Sequence, residues 1–356
     1  MKRCITVLFT ACGGWPTCGT IDSLRKSDKN DYHVIGVDCN PDPSFLNYVD
    51  ELYEVPRSDN PLFVDKLLQI AVKRNVDIVV PLISDEIDVL SENMEKFEEH
   101  CITVALSKDK KMLKIANNKF DLHNTLLANG FDVMPKTLAA RKETLDEDLA
   151  ALGYPNKPVC LKQKNGCGSK GFRIIDDYMT IESVVSRSRQ LRMTNFISKD
   201  QLVKCADRLG DDFMLQEYID GHEIGTLCLC NEGSTVYSVT HNNLKMDMST
   251  TTSCMLVNNE EANALVRHIN KMFNFDGNIG YDFKVDSNGK LYLLEINPRI
   301  SATVSLAAKA GLNLVELGIL HMLHLPYEVN IVPEYGVCLS RNYGTLYAKD
   351  GKPYGQ

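Results

Sequence analysis

The sequence predicts an α/β fold in which a parallel, Rossmann-like N-terminal domain precedes a two-lobed region of α+β character. Three observations predict it. The N-terminal third alternates short apolar runs with helix-periodic segments, the pattern of a parallel sheet with crossover helices. From Val133 onward, apolar runs are instead separated by glycine-rich or Asn-Gly turns, as hairpins require. The 356 residues accommodate two domains and three lobes, and 44% hydrophobic against 24% charged residues suffice for their cores.

Taken in order, "ITVLF" (Ile5–Phe9) is a first buried strand running into the loop "GGWPTCG", with a helix near Thr20–Lys26. The start "MKRCITVLFTACGG" faintly resembles a lipoprotein signal, but the run is short and a second strand of the same character follows at His33–Val37, so a strand is expected. Asn60 as N-cap and Pro61 at the first helical position open a helix through "LFVDKLLQIAVKRN". "VDIVVPLI" is a third strand, a charged amphipathic helix starts at Ser84, and "CITVAL" completes a βαβαβαβ series. Residues 107–134 form a helical linker. Strand-like "KPVCLKQ" and "FRIID" flank the loop "NGCGSKG", and a helix covers Thr180–Arg189. "DDFMLQEYID" is another strand, and "EIGTLCLCNEGSTVYSVT" a hairpin about Asn231–Ser234. A helix at Glu260–Phe273 precedes a second hairpin turning at Ser287–Gly289, and helices follow at Val304–Lys309 and Leu314–Leu323. The expected units are 1–106, 107–134, 135–218, 219–330 and a tail, 331–356, with strand character around "GVCLSRNYG".

A formal net charge of −8 argues against a general nucleic-acid binder, which needs a basic field to meet phosphates. It leaves room for a nucleotide site, which needs only a few local cations. No membrane span is expected. The 12 cysteines form no paired CxxC signature; Cys228 and Cys230 alternate on one face of a buried strand, and the usage points to a reducing, cytoplasmic compartment.

Four segments carry chemistry. Gly166, Gly168 and Gly171 make a GxGxxG pattern, but a strand rather than a helix follows, so a Rossmann fingerprint fails. A Walker loop fails too, because Phe172 stands where its lysine should be. The loop reads equally as a phosphate-covering hairpin or as a plain turn. Lys162, on the strand entering it, is costly in an apolar run unless it meets a charge such as a phosphate; a surface-facing edge lysine is the alternative. On "YDFKVDSNGKLYLLEINPR", Glu295 and Asn297 are two apart and share a strand face, and the turn can bring Asp282 opposite them. Three hard oxygen ligands suit Mg²⁺, and a carboxylate after the buried run "LYLL" is expensive without a cation. Arg299, two further on, can stabilise a transferring phosphoryl group. In "MLQEYIDGHEIG", backbone groups of Gln216 and Ile219 can meet an adenine edge and Glu223 can accept from ribose, although acidic loop residues are usually only solvated.

Strand lysine, glycine hairpin, "QEYIDGHE" and "LLEINPRIS" in this order resemble the ATP-grasp superfamily over about Asn117–Leu323, most nearly an ATP-binding half of the carbamoyl-phosphate synthase large subunit and related free-standing ligases. The first hundred or so residues resemble the pre-ATP-grasp domain of such enzymes. The resemblance implies ATP and Mg²⁺ as cofactors, with Mn²⁺ as a substitute. It implies that Lys119 and Lys162 hold phosphates, that Gly166, Gly168, Ser169 and Gly171 form a lid, and that Gln216, Ile219 and Glu223 meet the nucleoside. Asp282, Glu295 and Asn297 would be metal ligands, with Asp standing where many relatives carry Glu or Gln, and Arg299 would face an acyl phosphate. The chain has room for one such half, so a free-standing carboxylate–amine ligase acting on small molecules is expected, with a homodimer as the base expectation. Asp85 and Glu86, after the third strand, sit where a parallel sheet exposes its ligand-facing end; Glu86 is the better candidate for a substrate amine, and an acidic first helical turn is the alternative for both. A carboxyphosphate- or ammonia-using relative, a nucleotide sensor and, more remotely, an NAD-dependent oxidoreductase using Asp38 are the competing readings.

Overall fold

A computed structural model of the chain describes residues 3–349 and 352–353, apart from 15, 167, 169, 170, 189, 190, 192, 193, 248, 249 and 343–346. Three main sheets organise it.

The first is parallel and holds β1 (Cys4–Phe9), β2 (Asp31–Asp38), β3 (Glu51–Glu54), β4 (Ile78–Val80) and β5 (Thr103–Val104), in the order β3-β2-β1-β4-β5. The order reverses between β1 and β4, so the loops leaving both strands diverge and open a crevice there. β4 and the Val7–Phe9 part of β1 are buried because other elements cover both sides of the sheet, which is why they read as apolar runs.

The second sheet holds β6 (Thr137–Ala139), β7 (Val159–Gln163), β8 (Arg173–Ile175), β9 (Phe196–Ile197) and β10 (Phe213–Glu217), ordered β6-β10-β7-β8-β9. β7 and β8 pair antiparallel and the glycine loop is their connection. The third sheet is antiparallel: β11 (Gly221–Asn231), β12 (Ser234–Asp247), β13 (Thr250–Val257), β14 (Gly277–Asp286), β15 (Leu291–Asn297) and β16 (Cys338–Ser340), ordered β15-β14-β11-β12-β13-β16. Thus a strand of the C-terminal tail completes an edge of this sheet. A short pair, Ala348–Lys349 with Lys352–Pro353, follows.

Several elements differ from the sequence expectation. The helix assigned to Asn60 and Pro61 begins at Phe63, because the Asn60 side chain accepts from the Leu62 N–H, at 2.9 Å, within a preceding turn. The helix from Ser84 is a 3₁₀ turn followed by Ile87–Glu92 and Met94–Glu98, interrupted at Asn93, whose carboxamide donates to the Val89 carbonyl. The helix expected over Thr180–Arg189 runs Asp177–Val185, where the Asp176 side chain caps it; Arg189 lies outside the described residues. β3 and β13 were not among the strands expected from sequence, although β13 carries β-branched threonines; both pair with neighbouring strands. Cys228 and Cys230 are buried on one face of β11, as their alternation required.

One apolar core joins the first and third sheets. Ile5, Val7 and Phe9 of β1, Leu227 and Leu229 of β11, and helix Leu314–Met322 belong to it. No helix among the described residues is long and apolar enough to cross a membrane.

Candidate active site

The crevice of the first sheet faces one side of the third, and the glycine loop overhangs both. Together they enclose a cavity of about 550 Å³.

Register builds its floor. Asp282 on β14 pairs with Glu295 on β15, and Gly280 pairs with Asn297. Cross-strand partners project to one face, so Asp282, Glu295 and Asn297 converge. The Asn297 carboxamide nitrogen lies 2.9 Å from Asp282 Oδ2 and 3.3 Å from Glu295 Oε1. Its oxygen accepts from Arg299 Nη2 at 2.9 Å and from Ser84 Oγ at 3.4 Å, which ties the floor to the first domain. Removal from bulk water pushes Asp282 well above the usual carboxylate range, and the charges of Glu295 and Glu223 add to this. The same desolvation acts on Glu295, but Lys119, Asn297 and Lys162 outweigh it and hold Glu295 low.

The lysines come from different elements. Lys119 opens helix Lys119–Ala128, whose N-cap Asn118 accepts from the Phe120 and Asp121 N–H groups. Its ammonium lies 3.0 Å from Glu295 Oε2 and donates to the Gly166 carbonyl at 3.0 Å, so one charge links the floor to the glycine loop. Lys162 on β7 donates to Gln216 Oε1 at 2.8 Å, and Gln216 in turn donates to Thr137. Burial lowers the Lys162 pKa, and the Glu295 charge opposes it. Gly166 and Gly168 line the cavity and, like Gly171, have left-handed backbones; Ser169 lies outside the described residues.

Gln216 lies in a central strand, flanked by Cys160 and Thr137, and it is its side chain that reaches Lys162. The Ile219 carbonyl accepts from Lys284 at 3.0 Å, and that ammonium also stands 5.1 Å from the Tyr218 ring centroid. Glu223 lines the cavity, paired in register with Lys284; burial raises its pKa, against the pull of Lys284 and Lys162. Lys284 was not singled out from sequence, since it sits among ordinary strand residues; its one signal was that residues 282 and 284 share a strand face.

The opposite wall comes from the first domain: Ala11, Gly14, Thr17, Thr20, Leu82 and Ile83. Glu86 is not brought onto this lining. It is 4% exposed and accepts a hydrogen bond from Thr10, and burial pushes its pKa up to about 7. Asp85 stays in the same 3₁₀ turn. Asp38 accepts from the Gly13 N–H at 2.8 Å, bracing the loop after β1. Sequence reasoning also missed His241, Asn243 and Thr303, which line the cavity beyond Asp282. Burial pushes the His241 imidazole down to about 4, so the ring is neutral at physiological pH.

Among the described residues no group of three His, Cys, Asp or Glu side chains converges to hold a metal. The oxygen set here is two carboxylates and a carboxamide, which suits a hard divalent cation that keeps waters and phosphate oxygens in its shell. Burial is the main cause of the upward shift of Asp282, with the charges of Glu295 and Glu223 adding to it, and a cation beside the pair would favour its ionised form. Amide orientation follows from hydrogen bonding, and a cation at the carboxylates would call for the opposite orientation of Asn297. With that turn, the donor set fits Mg²⁺.

Comparison with known proteins gives a consistent assignment of parts. Residues 210–342 match a family described as ATP-grasp in the biosynthetic pathway with Ter operon, and residues 7–105 match the PylC-like N-terminal domain. A tyramine–L-glutamate ligase of Methanocaldococcus fervens is 23% identical over 216 residues, covering 55% of this chain and 70% of that protein. The ADP complex of N5-carboxyaminoimidazole synthetase from Staphylococcus aureus superposes with a TM-score of 0.66 at 16% identity, covering 92% of this chain and 80% of that one. The biotin carboxylase domain dimer of Hydrogenobacter thermophilus 2-oxoglutarate carboxylase, with MgADP, ADP and bicarbonate, gives 0.65 at 16% identity, covering 92% and 71%. At such identities these likenesses establish the fold.

Proposed function

We propose that the chain, whose residues 210–342 match an ATP-grasp family and whose residues 7–105 match the PylC-like N-terminal domain, is a Mg-ATP-dependent carboxylate–amine ligase that activates its acid as an acyl phosphate. The observation that carries this reading is the convergence of Asp282, Glu295, Asn297, Lys119, Lys162 and Arg299 on a single cavity beneath the glycine loop.

In this reading the ATP phosphates lie between the loop and the floor. Lys119 and Lys162 hold them, at the point where Lys119 already contacts both sides. Backbone N–H groups of the Gly166–Gly171 loop cover them as a lid. The Ile219 backbone, beyond the end of β10 at Glu217, meets adenine and Glu223 accepts from the ribose, while Gln216, paired on both sides in its strand, contributes through its side chain on Lys162. Mg²⁺, or Mn²⁺ in its place, when held by Asp282, Glu295 and Asn297, supplies neutralisation of phosphate charge. The acid carboxylate attacks the γ-phosphoryl group beside Arg299, and catalysis is positioning plus charge stabilisation. An amine then displaces phosphate, giving amide, ADP and phosphate, while closure of the loop keeps water away. The tyramine–L-glutamate ligase likeness supports small acids and amines as substrates. A bicarbonate-using variant of the same chemistry is the second reading, supported by the bicarbonate complex of the Hydrogenobacter domain.

The test is Mg²⁺-dependent ADP release against pools of carboxylic acids, bicarbonate included, crossed with amines. One acid should be required and one amine should raise the rate. Glu295→Ala should cut turnover by about a thousandfold or more, because it removes a group on which the charge balance of the phosphate site depends, while the protein stays folded. Undiminished turnover in that variant sinks the assignment.

A further inference from the structure

The link between the second and third sheets is short. β10 ends at Glu217 and β11 opens at Gly221, so Tyr218, Ile219 and Asp220 carry the chain from one lobe to the other. A side chain of the third sheet grips this link. Lys284 stands on β14, two positions from Asp282 and on the same strand face. Its ammonium donates to the Ile219 carbonyl at 3.0 Å and lies 5.1 Å from the Tyr218 ring centroid, within cation–π range. Two consecutive residues of the link are thus held by one cation.

The choice of partners is informative. Glu223 lies directly opposite Lys284 on β11, and opposite charges so placed attract. Yet among the described residues the two form no ion pair: the ammonium goes to the link, and the Glu223 carboxylate, which lines the cavity, makes no hydrogen bond. Burial works against the charge of Glu223, and Lys284 is the foremost group that favours it. The lysine therefore supports this carboxylate without covering its oxygens. Lys284 is not on the cavity lining, unlike Lys119 and Lys162, so it acts on a ligand through its neighbours.

We propose that Lys284 is a positioning residue for the nucleoside of ATP: it fixes the Tyr218–Asp220 link between the lobes and leaves the Glu223 carboxylate to the ribose. The proposal rests on the placement of the nucleotide in the reading above and adds what holds the nucleoside end in shape. Lys284 occupies the Ile219 carbonyl, so the N–H of Ile219 is the group left for the base. Without the lysine the link loses both contacts to β14, and the nucleoside loses its register with Glu223.

The test is equilibrium binding to the full chain with Mg²⁺ present. The probes are ADP and dideoxy-ADP, which lacks both ribose hydroxyls. Wild type, Lys284→Met and Lys284→Arg are compared, with thermal unfolding of each. We expect wild type to prefer ADP. Lys284→Met, which keeps an apolar stem and loses the cation, should bind ADP about tenfold more weakly, and the preference for ADP over dideoxy-ADP should shrink by about threefold or more. Lys284→Arg keeps a donor for the carbonyl and a cation for the ring, and should return ADP to within about threefold of wild type. Losses of equal factor for both nucleotides assign Lys284 to a general electrostatic or folding role and overturn the proposal, as does unchanged ADP affinity. If Lys284→Met does not fold, Tyr218→Leu, which removes the ring beside the ammonium, reads the same preference, and an undiminished one overturns the proposal. Wild type that binds no ADP overturns the ligase reading and the role of Lys284 together; wild type that binds both nucleotides equally takes the ribose away from Glu223 and overturns the role of Lys284 alone.

Discussion

Glu86 shows what burial does to one carboxyl. Desolvation raises it to about 7; the Thr10 hydrogen bond opposes this, and the Asp38 and Asp85 charges reinforce it. Its folded pKa thus lies above its unfolded value of about 4.3. Between those values the folded chain binds more protons than the unfolded one, so stability falls as pH rises through this window and is lowest above about 7. Glu86→Gln should therefore match wild type in denaturant unfolding near pH 4 and exceed it at pH 8, by up to about 3 kcal/mol. Equal stability at both pH values refutes the buried-acid account. The same contrast governs legibility at this scale. Glu295 was legible because it follows an apolar run on a strand, where only a cation makes sense of it. His241 and Lys284 were not, because what gives them meaning lies across the sheet or after another strand: Gly225 and Thr303 for one, the Ile219 carbonyl for the other.

Among elements, the β7–β8 connection is the one whose shape depends most on composition. Gly168 and Gly171 both have φ near +70°, a conformation costing an L-residue roughly 1–2 kcal/mol. Of the two, Gly171 is also crowded: a Cβ there would meet Gln163 Cγ at 2.9 Å and Phe213 Cε1 at 3.2 Å, whereas at Gly168 no atom of the described residues lies within 4 Å. Gly171→Ala should lower stability by about 2–3 kcal/mol and Gly168→Ala by about 1 kcal/mol, compared by thermal or denaturant unfolding. Equal losses would show that backbone strain alone matters. From sequence this loop read equally as phosphate cover or plain turn. Lys119 donates to the Gly166 carbonyl from a helix 47 positions away and ties the loop to the floor, which supports the proposed phosphate-covering role.

At the scale of the molecule, the first domain is fastened to the last helices by polar as well as apolar contacts. Glu316, 8% exposed, accepts from Tyr32 at 2.9 Å, from Asn30 at 3.3 Å and from Ser27. Asn313 donates to the Ser23 carbonyl at 2.8 Å. Glu316→Ala would leave these donors facing a gap, at roughly 1–3 kcal/mol for each that water cannot reach. We expect a loss of about 2–4 kcal/mol in denaturant unfolding and faster proteolysis within the first domain. A change under 0.5 kcal/mol would show the apolar core alone holds the seam. The seam matters because the cavity has one wall in each domain, and Ser84 reaches Asn297 across it.

The sequence by itself determined the parallel first domain, the glycine hairpin, the pairing of Glu295 with Asn297 on one strand face and the likeness to ATP-grasp proteins. These depend on period, turn residues and short spacing, which a chain carries locally. Only the tertiary structure decided that the Asp282–Glu295 row extends through Gly225 to His241, that Glu86 is buried away from the cavity lining, and that the tail strand Cys338–Ser340 closes a sheet edge. Each of those is a relation between segments brought together by strand register and domain docking. Register comes from the summed pairing and burial of whole strands, so no local run of residues announces it.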